Sequence, residues 1–328
     1  MKNVICEKIG IQYPILQGPM AWASNSALAA AVSNAGGLGI MGIGFAPPEI
    51  FEAEIKKTKS LTSKPFGCNF MAFMPGYEKL LEIIIKEQVP VVELETMPAL
   101  LSKLSECTAK LKDAGITVIG KAASVEEAIA YEKVGVDFVS VKGYDGGGHI
   151  YGFTGTFSLI PQVVDAVSIP VINSSGVADG RGVAASFALG ASAVEIGSRF
   201  LLASECPVHE KYKTAIINAK EGDTVLTGAS VGDAVRGIKN ELAEKVLEIE
   251  KHYEGAEASN KIQELCGGAL RKAAVNGQIE NEGSVLVGQD VGLLKRVQPA
   301  GEIVKEIVSE YNRIIGSFIQ EGAANLNF

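Results

Sequence analysis

The residues best suited to chemistry lie between positions 137 and 155. An apolar run, Phe138-Val139-Ser140-Val141-Lys142, passes into Gly143-Tyr144-Asp145-Gly146-Gly147-Gly148-His149. Three consecutive glycines add nothing to side-chain packing, but they permit positive φ and let backbone approach a flat or phosphorylated ligand closely. His149 follows at once, in a chain that has only three histidines. Histidine as a residue type titrates near neutrality and can give a proton, take one, or hydrogen-bond a developing charge. A mobile glycine turn with an incidental histidine would look the same in isolation, so its place in the fold has to decide.

The surrounding elements supply that place. Eight short β-rich apolar runs fall at 14–20, 37–44, 65–71, 89–95, 117–124, 137–143, 170–176 and 193–199. Between them, apolar residues recur at helical spacing over 26–35, 48–60, 77–88, 99–114, 125–134, 157–167 and 180–189. Gly115, Gly135 and Gly190 stand where helices end before the next strand. Eight strand–helix units with nearly continuous apolar strands predict a (β/α)8 TIM barrel, of class α/β. No GxGxxG follows the first strand, which disfavours an open doubly wound sheet.

After the eighth strand the rhythm breaks. Residues 203–220 read as a helix, and 221–291 as a small helical cap with helices at 240–253 and 260–274. A helix at 301–315 then returns to close the barrel. The expected division is a barrel of 1–220 plus 292–328 and a cap or substrate domain of 221–291.

In such a barrel the site forms at the C-terminal strand ends, with phosphate commonly held after strands seven and eight. Strand seven ends in Asn173-Ser174-Ser175-Gly176 and strand eight in Glu195-Ile196-Gly197-Ser198, small residues whose amides can reach phosphate oxygens. Strand one offers Gly18, Pro19 and Met20, strand three Asn69, and strand five Lys121. Asn69 alone would also suit a loop cap, and Lys121 a solvated rim charge. Together, an amide and an ammonium at one mouth suit the polar edge of an isoalloxazine, with Lys121 opposite the N1/C2 carbonyl edge.

Composition narrows the class. The chain has 328 residues, is 47% apolar with mean hydropathy +0.21, and carries a net charge of −8 without a basic run. That is a large core with no nucleic-acid or anionic-membrane surface. Five cysteines, Cys6, Cys68, Cys107, Cys206 and Cys266, form no CxxC or Cys/His cluster, so no metal site is expected and a reduced, cytoplasmic setting fits. The apolar region 13–44 is interrupted by Gln17, Pro19, Asn25 and Asn34, which argues against a membrane span, and the N-terminus does not read as a signal peptide.

Several segments together resemble the nitronate monooxygenase/2-nitropropane dioxygenase superfamily, which includes the flavin-dependent enoyl-acyl-carrier-protein reductase II enzymes. They are 17–22 (QGPMAW), 35–39 (AGGLG), Gly147-Gly148-His149, 175–180 (SGVADG), Gly197-Ser198-Arg199-Phe200 and Gly283-Ser284-Val285. The resemblance spans nearly the whole chain. It implies non-covalent FMN, with the phosphate after strands seven and eight, and a catalytic histidine at His149. The implied cofactor contacts are Gly18, Pro19, Met20, Asn69, Lys121, Gly147, Gly148, Ser175, Gly176, Gly197, Ser198 and Gln289.

Segments 235–242 and 283–289 are similar to the enoyl reductases, which implies NADH or NADPH as hydride donor, a small-molecule or acyl-carrier-bound substrate, and fatty acid biosynthesis as the setting. A homodimer is compatible with this reading. Lys121 and 205–209 (ECPVH) are more similar to nitronate monooxygenases and NADH:quinone reductases. Lys142 stands where an acidic or amide residue is usual, and loop 93–98 (ELETMP) replaces a glycine-rich turn. An inosine-monophosphate-dehydrogenase-like barrel would need a cysteine in the strand-six loop, and this loop has none.

Overall fold

All eight expected strands become staves of one closed parallel barrel in the computed structural model, which describes residues 3–95 and 101–325. They are β1 (Ile15–Gln17), β2 (Leu38–Met41), β3 (Gly67–Met71), β4 (Val91–Glu95), β5 (Thr117–Ala122), β6 (Phe138–Val141), β8 (Val171–Asn173) and β9 (Ala193–Ile196). The remaining strand in this stretch, β7 (Gly148–His149), lies outside the barrel. Parallel β1–β9 pairing, with Leu16 opposite Glu195, closes the ring. Helices α2 (Ser26–Asn34), α3 (Pro48–Leu61), α4 (Tyr77–Lys86), α5 (Leu101–Asp113), α6 (Val125–Lys133), α7 (Thr156–Ala166) and α8 (Gly180–Ala188) follow the strands in turn.

Successive strand residues face opposite sides, so each stave feeds two cores. Outward residues such as Cys68, Phe70, Val92, Leu94, Val118 and Val139 pack against the helices. Inward residues Leu16, Leu38, Ile40, Val91, Ile119, Phe138, Ile172 and Ala193 fill the N-terminal half of the barrel. A helix absent from the sequence-based expectation, α1 (Val4–Ile9), plugs that end with Ile5 and Ile9. Asn3 caps it by accepting from the amides of Ile5 and Cys6, and its Nδ2 donates to Ser192 O at 2.6 Å.

The long α13 (Ala300–Asn325) extends beyond the expected 301–315 and packs between α2 and α8, burying Ile303, Val304 and Ile307 against the barrel.

Beyond β9 the expected helix over 203–220 is shorter. A 3-10 turn (Ser198–Leu202) leads to α9 (Glu210–Asn218), capped by His209 through the amide of Lys211. The cap contains α10 (Glu241–His252), and the expected single helix over 260–274 is two, α11 (Gly255–Cys266) and α12 (Ala269–Asn276). The break falls at Gly267-Gly268, where Gly268 takes φ +73, a conformation that ends a helix. The cap also carries two strands that helical spacing did not reveal, β10 (Thr224–Thr227) and β11 (Val235–Ile238). They pair with each other and then with β7.

Among the described residues, no helix is long and apolar enough to cross a membrane.

Candidate active site

Above the apolar half of the barrel the same inward alternation turns polar. Asn69, Glu93, Lys121, Ser140, Ser174 and Glu195 come from six different staves, and Lys121 joins most of them. Its Nζ lies 2.5 Å from Glu195 Oε1 and 3.4 Å from Glu93 Oε1, and donates to Ser174 Oγ at 2.6 Å and Ser140 Oγ at 3.3 Å. Ser140 Oγ also donates to Glu195 Oε2. Glu93 and Glu195 are almost completely buried.

The electrostatics follow from that burial. Desolvation works against the Lys121 ammonium, but the charges of Glu195 and Glu93 overcome it and hold its pKa above that of an ordinary lysine. Desolvation would raise Glu195 too, yet Lys121 keeps its carboxyl below the usual range. Glu93, buried and facing the Glu195 charge, is pushed well above it. One step further along β6, burial and the Lys121 charge push Lys142 down to about 8, and its Nζ donates to Gly147 O at 2.6 Å.

Glycine makes the floor open. A Cβ on Gly18 would stand 2.6 Å from Glu195 Oε1, so a side chain cannot be placed there without moving the charged layer. Gly18 donates to Ile196 O, and Met20 N donates to Ser24 Oγ at 3.1 Å, which fixes the first-strand loop. Asn69 caps the neighbouring loop, its Oδ1 accepting from Gly44 N at 2.7 Å. Trp22 adopts φ +64 on the same loop, with Phe45 at 5.1 Å and the Arg271 guanidinium of α12 at 5.5 Å.

At the ends of β8 and β9, donors are left over. Among the described residues, the amides of Gly176, Val177 and Gly197 meet no protein acceptor. Buried Thr156 Oγ1 is likewise unpartnered, and it lies 4.0 Å from where a Cβ on Gly176 would stand. A Cβ on Gly197 would likewise meet no described atom nearer than Met20 Sδ at 3.7 Å, its chain neighbours aside. The N-terminus of α8 is not part of this set: Asp179 accepts from Arg181 N and Gly182 N, and Glu310 Oε2 from Gly180 N.

Ser175 also turns away, its Oγ accepting from Gly143 N at 2.7 Å. Ser198 Oγ accepts from Gly288 N at 3.0 Å, and Gln289 N donates to Asp145 O at 2.9 Å, so Ser198 and Gln289 tie the cap to the barrel rim. Beside them, burial pushes the Asp290 carboxyl up to about 6.

The glycine-rich loop is held firmly. A Cβ on Gly147 would lie 2.5 Å from the backbone of Val287, and Gly148 takes φ +75 as it enters β7. Arg236, opposite Gly148, is buried, donates to Tyr144 O at 3.2 Å and stacks over the Tyr144 ring at 4.6 Å. His149 is therefore carried on a strand rather than a floppy turn. Its ring is about half exposed, stacks on Tyr151 at 6.1 Å, and has Nε2 3.4 Å from Asp233 Oδ1. The hydrogen bond from His149 holds the Asp233 carboxyl below its ordinary range.

The chain matches the family model described as nitronate monooxygenase over residues 2–76 and 70–310. It belongs to the nitronate monooxygenase family. Within that family it is 36% identical to a probable nitronate monooxygenase of Staphylococcus aureus, over 96% of this chain and 98% of the relative. Among solved structures, FabK from Thermotoga maritima superposes with a TM-score of 0.91 at 38% identity, covering 98% and 99% of the two chains. Nitroalkane oxidase from Streptomyces ansochromogenes gives 0.83 at 28% identity, covering 96% and 99%. The protein is a flavin-dependent oxidoreductase of the nitronate monooxygenase family.

The residues present fit one flavin mononucleotide: leftover amides and a hydroxyl that could hold its phosphate, a glycine floor, and a buried ammonium that could face its polar edge. Sequence reasoning did not single out the side chains of Glu93, Ser140, Ser174 and Glu195 as members of one layer, nor Thr156 and Asp290 beside the leftover amides. Alternation could have found the first four, because each is a polar residue at an inward position of an otherwise apolar stave. From Thr96 to Pro98, the expected pocket loop lies outside the described residues.

Proposed function

We propose that this family member uses FMN to take hydride from NADH or NADPH and reduce an enoyl thioester, free or on an acyl carrier, as in fatty acid biosynthesis. The observation that carries the reading is the full-length likeness to FabK, cap included, over a mouth whose leftover donors suit one phosphate. Bound FMN would supply the hydride chemistry. The chain's own residues divide the remaining tasks. The amides of Gly176, Val177 and Gly197 hold the phosphate, and Lys121 sets positive charge beneath the polar edge. His149, oriented by Asp233, hydrogen-bonds the thioester carbonyl or protonates the α-carbon.

A second reading, nitronate oxidation by O2, is favoured by the family model and by the curated relatives of Staphylococcus aureus. There, the His149 imidazole would orient or deprotonate the substrate. Quinone reduction is a third use of the same site.

The visible spectrum of the purified protein tests for flavin, and mass spectrometry of the released cofactor should give FMN rather than FAD. Anaerobic NADH or NADPH titration, followed by crotonyl thioester, a quinone or a nitronate with O2, separates the three readings. For enoyl reduction, His149→Ala should leave flavin content and its reduction by NAD(P)H intact while slowing thioester reduction by about 10²–10⁴-fold. Equal loss in both half-reactions, measured by stopped flow, would assign His149 to cofactor binding instead.

A further inference from the structure

The polar layer under the mouth does not balance if both of its carboxyls are charged. Glu93 and Glu195 both pack against one ammonium, Lys121, in a site almost closed to water. Two carboxylates and one ammonium leave a net negative charge in low dielectric, a costly arrangement. Glu93 Oε2 is buried with no hydrogen-bond partner among the described residues. A carboxylate oxygen buried beside a second carboxylate has no donor to accept from, whereas a carboxyl proton turns it into a donor. The remaining charged groups facing Glu93 are Glu95 on its own strand and Lys142 just past the end of β6, and Asn69 sits opposite it in register on β3.

We propose that Glu93 and Glu195 share one proton beneath the mouth, so that Lys121 is balanced by a single carboxylate charge and the floor of the cofactor site is neutral. The Glu93 O–H donates to Glu195, which gives Glu195 a donor beyond Lys121, Ser140 and Ser174. No proton is gained or lost in this sharing; it only passes between carboxyl oxygens. The opposite shifts of the two carboxyls, Glu93 up and Glu195 down, agree with it. Without the proton the floor becomes negative and works against binding of the anionic FMN. Glu93 is thus a positioning residue: it acts through Glu195 and Lys121 on the charge a bound flavin meets. The cofactor consequence rests on the flavin reading above, while the sharing itself does not.

Infrared spectroscopy of the FMN-free protein at pH 7.5 tests the sharing directly. Wild type should show the carbonyl stretch of a protonated carboxylic acid, and Glu93→Gln should lack it; the difference spectrum separates Glu93 from Asp290. Glu195→Gln should also lack it, because Glu93 is then the only counter-ion of Lys121 and ionises. A wild-type spectrum without the band means both groups are charged and overturns the proposal. A band that persists in Glu195→Gln means burial alone protonates Glu93, and this too overturns it. The two variants are near-isosteric, and a thermal melt identifies either one that fails to fold, in which case the other variant decides.

Calorimetric titration of FMN into the same protein tests the consequence. Wild-type affinity should fall by about tenfold per pH unit once the shared proton is lost, while Glu93→Gln stays flat over that range. Equal pH dependence in both proteins overturns the electrostatic role. A wild-type protein that binds no FMN at any pH overturns the flavin reading and leaves the infrared result to decide the sharing.

Discussion

The two halves of the barrel interior are built from the same eight staves, yet they do opposite things. In the N-terminal half, Leu16, Val91, Ile119, Phe138 and Ile172 interlock and α1 closes the end. Two residues further along their staves, the inward positions are Gly18, Glu93, Lys121, Ser140, Ser174 and Glu195. A barrel needs only the first kind of layer to be stable. Its second layer holds charge in a nearly dry place, which hydrophobic replacement would satisfy at least as well. Such a layer therefore marks where function overrode packing, and a set of measurements can break or sharpen that contrast.

The largest effect is expected from removing a single member of the charged layer. Lys121→Met leaves Glu195 buried without its ammonium and should cost on the order of 3–5 kcal/mol in urea unfolding, with loss of FMN retention. Combining it with Glu93→Gln and Glu195→Gln should restore most of the stability but not the FMN. Recovery of both would show that the layer has no role in the cofactor site.

In the apolar half, Phe138→Ala should cost roughly 3–5 kcal/mol by opening a cavity. FMN affinity of the folded fraction, followed by flavin fluorescence quenching, should stay within about threefold, because a factor of three is only about 0.7 kcal/mol. A large loss of affinity would mean the two layers are coupled rather than separable.

Asp290 gives a smaller, pH-dependent effect at the phosphate end. Its carboxyl is raised to about 6 in the folded chain against an ordinary 3.8, so the folded state holds the proton more tightly. The sign follows: no penalty exists below about pH 4, stability falls as pH rises through about 6, and the full penalty of about 3 kcal/mol remains above that. In FMN-free protein, Asp290→Asn should unfold later than wild type at pH 7.5 and show no advantage at pH 4. An advantage that is constant with pH would assign the effect to packing.

The smallest effect belongs to the plug. Asn3→Ala removes the α1 cap and the bond to Ser192 O, and should cost about 1 kcal/mol, read as a drop in melting temperature with FMN affinity unchanged. Altered FMN affinity would place the plug in communication with the mouth.

The eight strands, the seven helices between them and the position of the glycine-rich loop were legible from the chain alone. A local period of two or 3.6 and glycine stops are written in neighbouring residues and need no distant partner. The small strands β10 and β11 were not legible, because they are four residues each and find their third partner, β7, more than 80 positions away. That pairing turned His149 from a residue on a loose loop into one on a strand beside Asp233.

The charged layer shows the same division. Lys121 could be read as a mouth residue from its strand, but Glu195, 74 residues on, meets it only because the barrel closes. Sequence by itself determined the barrel's strands, the helices between them and which strand ends carry polar groups, since these depend on local patterns. Tertiary structure decided which amides stay free for a phosphate and which are already occupied, as at Asp179. It also decided which charges share one dry layer, because hydrogen-bond occupancy and desolvation are set by neighbours that only the closed barrel brings together.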